Sequence, residues 1–185
     1  MIAIISGTNR PHSQTRRVAK IYEALFQKEG AKTSFIDLQL LPAEIFKPES
    51  YATRPPSFEA FNKPILDAAG VFIVTPEYNG SFPGVLKYFI DMLKFPESFE
   101  RRPMAFCGVA AGMWGALRSI EQLEAILKYR NAFSFSERVF LPRITEQLSD
   151  DGNFTSDLVR QLVDSQVRNF ISFSESLSQA LPPNR

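Results

Sequence analysis

The 185-residue sequence has almost nothing that could cross-link it or hold a metal: it contains one cysteine, Cys107, and one histidine, His12. A single cysteine excludes an internal disulfide, and the two residues are too few for a zinc site built from four Cys and His ligands. A chain of this length buries about 70% of the surface that its unfolded form exposes, so it needs neither. The composition therefore predicts one globular domain, residues 1–185, in a reducing, cytoplasmic compartment.

The sequence also lacks an excess of charge and long apolar segments. Lys and Arg number 21 and Asp and Glu number 20, so no basic surplus is available to neutralise nucleic-acid phosphates or an anionic membrane. Nowhere do roughly 18 apolar residues run together, and the N-terminal MIAIISGTNR has no basic start before a long apolar core. We therefore expect no nucleic-acid partner, no membrane span and no signal peptide.

Apolar residues recur with alternating periods, which is typical of a chain that alternates strands and helices. The predicted strands cover residues 2–5, 33–38, 71–74, 104–109 and 135–141. The predicted helices cover residues from 13–15 to Gly30, then 58–69, 83–94, 117–129 and 158–181. We expect Pro64 to end or kink the second helix, and residues 38–56, with four prolines, stay unassigned. The alternation predicts right-handed parallel crossovers and a three-layer α/β sandwich around about five strands.

Three loops are candidate binding segments, because ligands of such sheets bind beyond the carboxyl ends of the strands. The first loop is residues 6–15, the second loop is residues 75–84 and the third loop is residues 110–116. The first two loops are rich in Gly, Ser, Thr, Asn and Pro, and the third contains two glycines, so composition and topology indicate the same place.

The first loop, SGTNRPHSQT, leads into a helix N-terminus, where free backbone N–H groups and the positive end of the helix dipole attract anions. Hydroxyls of Thr8, Ser13 and Thr15 and the guanidinium of Arg10 add donors for phosphate oxygens. A simple helix cap by Ser13 or Thr15 explains the same residues, and both interpretations stay open. The loop has neither a Gly-Lys-Ser/Thr nor a G-x-G-x-x-G pattern, which disfavours nucleotide hydrolysis and a Rossmann-type NAD site.

The second and third loops each carry groups that could contact a planar heterocycle. In the second loop, Glu77, Tyr78 and Asn79 could line the edge and face of such a ring, or form only a tight turn with Glu77 solvated. In the third loop, the only tryptophan, Trp114, fits either a stacking partner or core packing. Cys107, in the preceding strand, is expected to be an inert buried thiol.

Together the loops resemble the NADPH-dependent FMN reductase family of flavodoxin-like proteins, which includes quinone, chromate and azo reductases. The family pattern G-S-x-R-x-x-S-x-N/T is matched by GTNRPHSQT at residues 7–15, and P-E-Y-N-x-S-x-P-G-x-L-K-N-x-I-D-W by PEYNGSFPGVLKYFIDM at residues 76–92. The pattern S-x-G-x-x-G-G-x-R-A is matched more loosely by AAGMWGALRS at residues 110–119. The departures are Thr8 for Ser, Tyr88 for Asn, Met92 for Trp and Ala116 for the second Gly.

The resemblance implies a flavodoxin-like three-layer α/β/α sandwich with a five-stranded parallel sheet in the order 2-1-3-4-5. It implies an enzyme that transfers hydride from NADPH or NADH through bound FMN to a small-molecule acceptor such as a quinone, free flavin, azo compound or metal ion. Homologues of this kind form homodimers or homotetramers. No protein side chain is expected to be catalytic and no metal site is expected, because hydride transfer belongs to the flavin.

The resemblance also assigns residues to the parts of the cofactor. The first loop is implied to hold the FMN phosphate, residues 76–79 the edge and pyrimidine side of the ring, and the third loop the opposite part. The implied cofactor-binding residues are Thr8, Asn9, Arg10, Pro11, His12, Ser13, Gln14, Thr15, Pro76, Glu77, Tyr78, Asn79, Gly112 and Trp114.

Other functions on the same fold are disfavoured. A flavodoxin-type electron carrier, which binds FMN without NAD(P)H turnover, usually has a T-x-T-G-x-T loop and strong acidity, whereas this chain has SGTNRPHSQT and a net charge of +1. A phosphoacceptor receiver needs acidic residues at the end of its first strand, where Ser6 stands. A Ser-His-Asp hydrolase would have to use His12, and the second loop has no G-x-S-x-G. A binding protein that has lost catalysis stays open.

Overall fold

The computed structural model describes residues 1–149 and 151–181, so Asp150 and the last four residues of the predicted 1–185 domain lie outside the described part. All neighbouring strands pair in parallel in the order β2-β1-β3-β4-β5, which confirms the predicted order. The strands are β1 (Ile2–Ser6), β2 (Thr33–Asp37), β3 (Gly70–Pro76), β4 (Pro103–Val109) and β5 (Phe133–Leu141). The helices are α1 (Gln14–Lys28), α2 (Glu59–Asp67), α3 (Gly84–Met92), α4 (Leu117–Tyr129), α5 (Ile144–Gln147) and α6 (Asp157–Ala180).

Apolar side chains cover both faces of the sheet, which explains why β1, β3 and β4 are buried along their whole length. Helices α1 and α6 pack on one face, and α2, α3 and α4 pack on the other. The ring of Phe72, in β3, lies 4.4 Å from that of Tyr22 and 6.0 Å from that of Phe170. Within the described part of the chain, no helix has the length and apolar character that a membrane span requires.

A buried polar bridge joins α1 and α6 to the sheet. The Tyr22 hydroxyl donates to Gln166 Oε1 at 2.7 Å, and Gln166 Nε2 donates to the carbonyls of Phe106 at 2.9 Å and Glu137 at 2.8 Å. Because all these groups are satisfied, the bridge fixes the helices without leaving an uncompensated polar atom.

Local signals in the sequence set most helix ends. Ser13 precedes α1, its Oγ accepts the Arg16 N–H at 3.1 Å, and Gly30 follows the helix with φ 84°. The prediction that Pro64 ends or kinks α2 is wrong about the ending, because the helix continues to Asp67. Proline at this place removes the hydrogen bond to the carbonyl four residues earlier and crowds that carbonyl, but the helix continues for three more residues.

The unassigned segment, residues 38–56, is a chain of short 3₁₀ turns that packs on α3. The Tyr88 hydroxyl donates to the Ile45 carbonyl, and Arg54 Nε donates to the Met92 carbonyl. The rings of Phe46 and Tyr51 lie 4.9 Å and 5.6 Å from the Tyr88 ring. Tyr88, one of the departures from the family pattern, therefore anchors this segment.

Strand β5 is an edge of the sheet and is partly polar. Three consecutive residues at its centre, Ser136, Glu137 and Arg138, are exposed, and its pairing with β4 shifts register between Met104 and Phe106. Arg138 pairs with Glu124 of α4 at 3.4 Å, and Asn169 of α6 donates to Glu137 at 2.8 Å. The edge strand is thus bulged and carries paired charges.

The thiol of Cys107 should be unreactive while the protein is folded. The residue is fully buried in β4, and burial raises the pKa of its thiol to about 12. We expect negligible alkylation by iodoacetamide at pH 8 in native protein and rapid alkylation in urea, measured by mass spectrometry. The unfolded thiol ionises from about pH 8.5, so folding stability should fall as the pH rises from there towards 12. Equal alkylation rates for native and unfolded protein would contradict this.

Candidate functional site

The first loop is pressed against the end of β3. Gly7 N–H donates to the Val74 carbonyl at 2.8 Å, and a Cβ at Gly7 would stand only 2.8 Å from that same oxygen. Only glycine permits so close a backbone approach. The following residue, Thr8, is also buried, so the start of the first loop is packed within the protein.

A hydrogen bond joins the first loop to the second across 70 residues of sequence. Thr8 Oγ1 and the Tyr78 hydroxyl share a bond of 3.0 Å, and Thr8 Oγ1 also accepts the Arg10 N–H at 3.2 Å. The Thr8 hydroxyl, which the sequence predicts to hold a phosphate, is therefore already engaged within the protein. Its visible contribution is to hold two of the predicted binding segments together.

The start of α1 offers hydrogen-bond donors to an anion. The N–H groups of Gln14 and Thr15, in the first turn, have no acceptor within the helix, and this turn contains no acidic residue. Arg10 is exposed, and its guanidinium has no ion pair or hydrogen bond with any residue of 1–149 or 151–181. Asn9, Pro11 and His12 are exposed on the same loop. Ser13 caps the helix, but this leaves two backbone donors and one guanidinium free for a ligand.

The tip of the second loop is a rigid two-residue turn. Tyr78 and Ser81 exchange backbone hydrogen bonds of 2.8 Å and 3.1 Å around Asn79 and Gly80, whose φ angles are 52° and 77°. Two left-handed residues in the order Asn-Gly are typical of a type I′ turn. Gln122 of α4 holds the turn from below, since it donates to the Gly80 carbonyl at 3.0 Å and accepts from Ser81 Oγ at 2.6 Å. Asn79 therefore presents its amide on a fixed backbone.

Glu77 is not the solvated charge of the simpler interpretation. Its side chain is 13% exposed, and Oε1 accepts a hydrogen bond from Arg118 Nη1 of α4 at 3.0 Å. The other oxygen, Oε2, is buried and has no hydrogen-bond partner among the described residues. A buried carboxylate oxygen without a donor is unfavourable, so this atom is ready to accept an N–H from a ligand.

The third loop lies close to β4 and exposes its aromatic residue. A Cβ at Gly108 would stand 2.2 Å from the Gly115 carbonyl oxygen. Ala116, which replaces a family glycine, has φ 68°, a conformation that costs a residue with a Cβ about 1–2 kcal/mol. Trp114 is 57% exposed, so core packing is the wrong interpretation of this tryptophan. Gly112 is exposed, and its carbonyl accepts the Arg143 N–H at 3.1 Å.

Helix α4 supplies supporting residues that sequence reasoning did not select. Ser119 Oγ donates to the Pro76 carbonyl at 2.9 Å, and Arg118 and Gln122 hold the second loop as described above. The sequence did offer one indication for Arg118, because it matches the arginine of the family's G-x-R-A pattern. The described residues contain no group of three or more His, Cys, Asp and Glu side chains that could hold a metal ion.

Comparisons with known proteins indicate one family. Residues 1–146 match the model of the NADPH-dependent FMN reductase family. The chain is 26% identical over 176 residues to a 2-hydroxy-1,4-benzoquinone reductase of Burkholderia sp, with 93% of this chain and 94% of that protein covered. It is 28% identical over 169 residues to an NAD(P)H-dependent FMN reductase of Pseudomonas aeruginosa, with 89% of each covered. FerB, a flavoenzyme NAD(P)H:(acceptor) oxidoreductase from Paracoccus denitrificans, has the same fold with a TM-score of 0.80 at 23% identity, over 95% of this chain and 97% of that one.

Proposed function

Since the chain belongs to the NADPH-dependent FMN reductase family, we propose that its three loops form one FMN site and that its acceptor is a quinone or a similar planar molecule. The protein is an enzyme, an FMN-dependent oxidoreductase that uses NAD(P)H. The observation that carries the site assignment is the junction of the first and second loops through Thr8 and Tyr78, which brings a set of anion-binding donors beside a rigid, polar turn.

The residues present fit FMN at both of its ends. The free N–H groups of Gln14 and Thr15 and the unpaired Arg10 suit a phosphate dianion. The buried Glu77 Oε2 lacks a donor, which the N–H of a flavin ring would supply, and Trp114 offers an exposed aromatic face. Bound FMN supplies the centre that takes hydride from NAD(P)H and passes electrons to the acceptor.

The protein's own residues bind the FMN and hold the two loops that contact it in a fixed arrangement. Arg10 and the start of α1 neutralise phosphate charge, and the bond between Thr8 and Tyr78 fixes the spacing of the two loops. Arg118 holds Glu77 in place and, with its guanidinium 5.7 Å from the Trp114 ring, also restrains the third loop. No side chain has to donate or accept a proton for this chemistry, so none is assigned as catalytic.

A planar acceptor is supported by the exposed surface of the third loop. Met113 and Trp114 are 63% and 57% exposed and give an apolar, aromatic surface that suits a quinone better than a hydrated metal ion. The Burkholderia relative is named as a reductase of a hydroxybenzoquinone, which supports the same class of acceptor.

The decisive experiment is an absorption spectrum of protein that has been incubated with FMN, desalted and then mixed anaerobically with NADPH. Retained flavin that bleaches within seconds and recovers on addition of a benzoquinone supports the proposal. Retained flavin that neither NADPH nor NADH bleaches would instead identify an electron carrier, and protein without flavin would overturn the site.

Trp114→Ala should weaken FMN binding about 2- to 10-fold, because one aromatic contact of about 0.5–1.5 kcal/mol is lost. Stability should change little, since this side chain is 57% exposed. Quenching of flavin fluorescence measures the dissociation constant, and Met113→Ala, its exposed neighbour, is the matched control. Equal FMN affinity in the Trp114 variant and the control would show that the flavin ring does not contact Trp114 in the third loop.

We extend the proposal to the assembly and the compartment. The exposed rings of Phe46 and Tyr51, packed on Tyr88, support a homodimer or homotetramer that covers this aromatic surface. The single reduced thiol of Cys107 supports a cytoplasmic location.

A further inference from the structure

A second cavity adjoins the first loop on the side of β2. It has a volume of about 410 Å³, within the usual range for small-ligand pockets, and opens at the carboxyl end of β2. It is lined by His12, Ser13, Arg16, Arg17, Asp37, Gln39 and Leu40. Only His12 and Ser13 belong to the proposed FMN site, so most of this wall has no assigned role.

The polar wall of the cavity is built around a buried carboxylate. Asp37 is 7% exposed; its Oδ2 accepts from Arg16 Nε at 2.6 Å and its Oδ1 accepts from the Gln39 N–H at 3.1 Å. The pairing neutralises Asp37 and holds Arg16 by one nitrogen. The two terminal Nη groups of Arg16 have no partner within residues 1–149 and 151–181, and the side chain is 47% exposed.

A second guanidinium, that of Arg17, lines the same cavity. Arg17 Nη1 donates to Gln14 Oε1 at 3.0 Å and its Nη2 donates to the Ser149 carbonyl at 3.1 Å. Since both of these partners are neutral, Arg17 keeps its full charge. The lining of the cavity thus contains two guanidinium groups and one carboxylate, so it carries a net positive charge although the whole chain is nearly neutral.

A second, apolar wall is formed by Leu40, which lines the cavity and is 69% exposed, so its side chain is accessible to a ligand. A ligand that carries both a phosphate monoester and a flat apolar ring would satisfy both walls. A free inorganic phosphate would satisfy only the charged one.

We propose that this cavity binds the adenosine 2′-phosphate end of NADPH, with Arg16 as the main phosphate contact, Arg17 as a supporting charge and Leu40 against the adenine. The inference rests on the proposed function, because it gives a binding site to the adenosine end of NADPH, whose nicotinamide end reduces the flavin. It makes Arg16, held in place by Asp37, the residue that selects NADPH over NADH, since only NADPH carries the 2′-phosphate.

Steady-state kinetics of the FMN-loaded enzyme test the selection. Arg16→Gln should raise KM for NADPH about 10- to 100-fold and leave KM for NADH within about 2-fold. Because this change leaves Asp37 unpaired, the double variant Arg16→Gln/Asp37→Asn is compared and should show the same loss. Arg168→Gln, at an exposed arginine of α6 outside the cavity, should alter neither KM. Equal changes in both KM values for the Arg16 variants would overturn the inference.

Calorimetry supplies a readout that does not depend on turnover. We expect adenosine 2′,5′-bisphosphate to bind the wild type at least about 10-fold more tightly than 5′-AMP or inorganic phosphate, and Arg16→Gln to abolish the difference. Equal affinity of the three probes would overturn the inference even if the enzyme retains FMN and is reduced by NADPH. Loss of FMN retention with preserved preference for the bisphosphate would overturn the proposed function alone.

Discussion

Gly108→Ala is expected to destabilise the fold by about 3 kcal/mol and to abolish tight FMN binding. The new Cβ would stand 2.2 Å from the Gly115 carbonyl oxygen and 3.1 Å from both Ala116 Cβ and Ile120 Cδ1. Overpacking a core costs about 1–3 kcal/mol, and the upper end applies here because the obstacle is backbone. Gly115 has little room to move away, since a Cβ built on it would stand only 2.8 Å from Phe140 Cβ in β5. The third loop would therefore be displaced.

Urea unfolding and FMN titration measure the two effects, and Gly84→Ala is the matched control. A Cβ at Gly84 meets nothing within 4 Å, and the residue is the first of α3. Alanine there should leave stability unchanged or raise it by up to about 1 kcal/mol. If both variants unfold at the same urea concentration, the close approach of β4 to the third loop is wrong.

Arg10→Ala is expected to weaken FMN binding by about 1.5–3 kcal/mol, or about 10- to 150-fold in Kd. The guanidinium is exposed and forms no hydrogen bond or ion pair within the described residues, so its removal should leave the unfolding midpoint unchanged. The loss should arise because a charge-assisted hydrogen bond to the phosphate disappears.

Riboflavin, which lacks the phosphate, provides the control for this prediction. Its affinity for the wild type and for Arg10→Ala should be the same. A parallel loss of affinity for riboflavin and FMN would show that Arg10 acts on the ring or on the loop rather than on the phosphate, and an unchanged FMN affinity would remove Arg10 from the site.

The periodic parts of the fold could be predicted from the sequence because each carries its own signal. The bounds of α4 at residues 117–129 follow from apolar spacing, and the start of α1 follows from Ser13. Residues 38–56 could not be assigned, since their turns depend on Tyr88 and Met92 in a helix far along the chain. The persistence of α2 past Pro64 also depends on packing rather than on a local signal.

The candidate site, like the fold, could be predicted from the sequence only in part. The loops and their donor types could be read from composition and position, but the roles of individual atoms could not. The engagement of Thr8 by Tyr78, the pairing of Glu77 with Arg118 and the burial of Asp37 each require two segments to meet. Whether an exposed group such as Trp114 faces solvent or core is also decided by tertiary packing.

The bulged edge strand β5 constrains how copies of this chain can associate. A regular, apolar edge would let a second sheet add strand to strand, which is the usual first step of aggregation. Here the exposed Ser136, Glu137 and Arg138 and the register shift interrupt that edge, and the two charges are already bound to α4 and α6. A concentrated solution should therefore resist fibril formation along β5, and subunits that assemble should not do so by adding strand to strand at this edge.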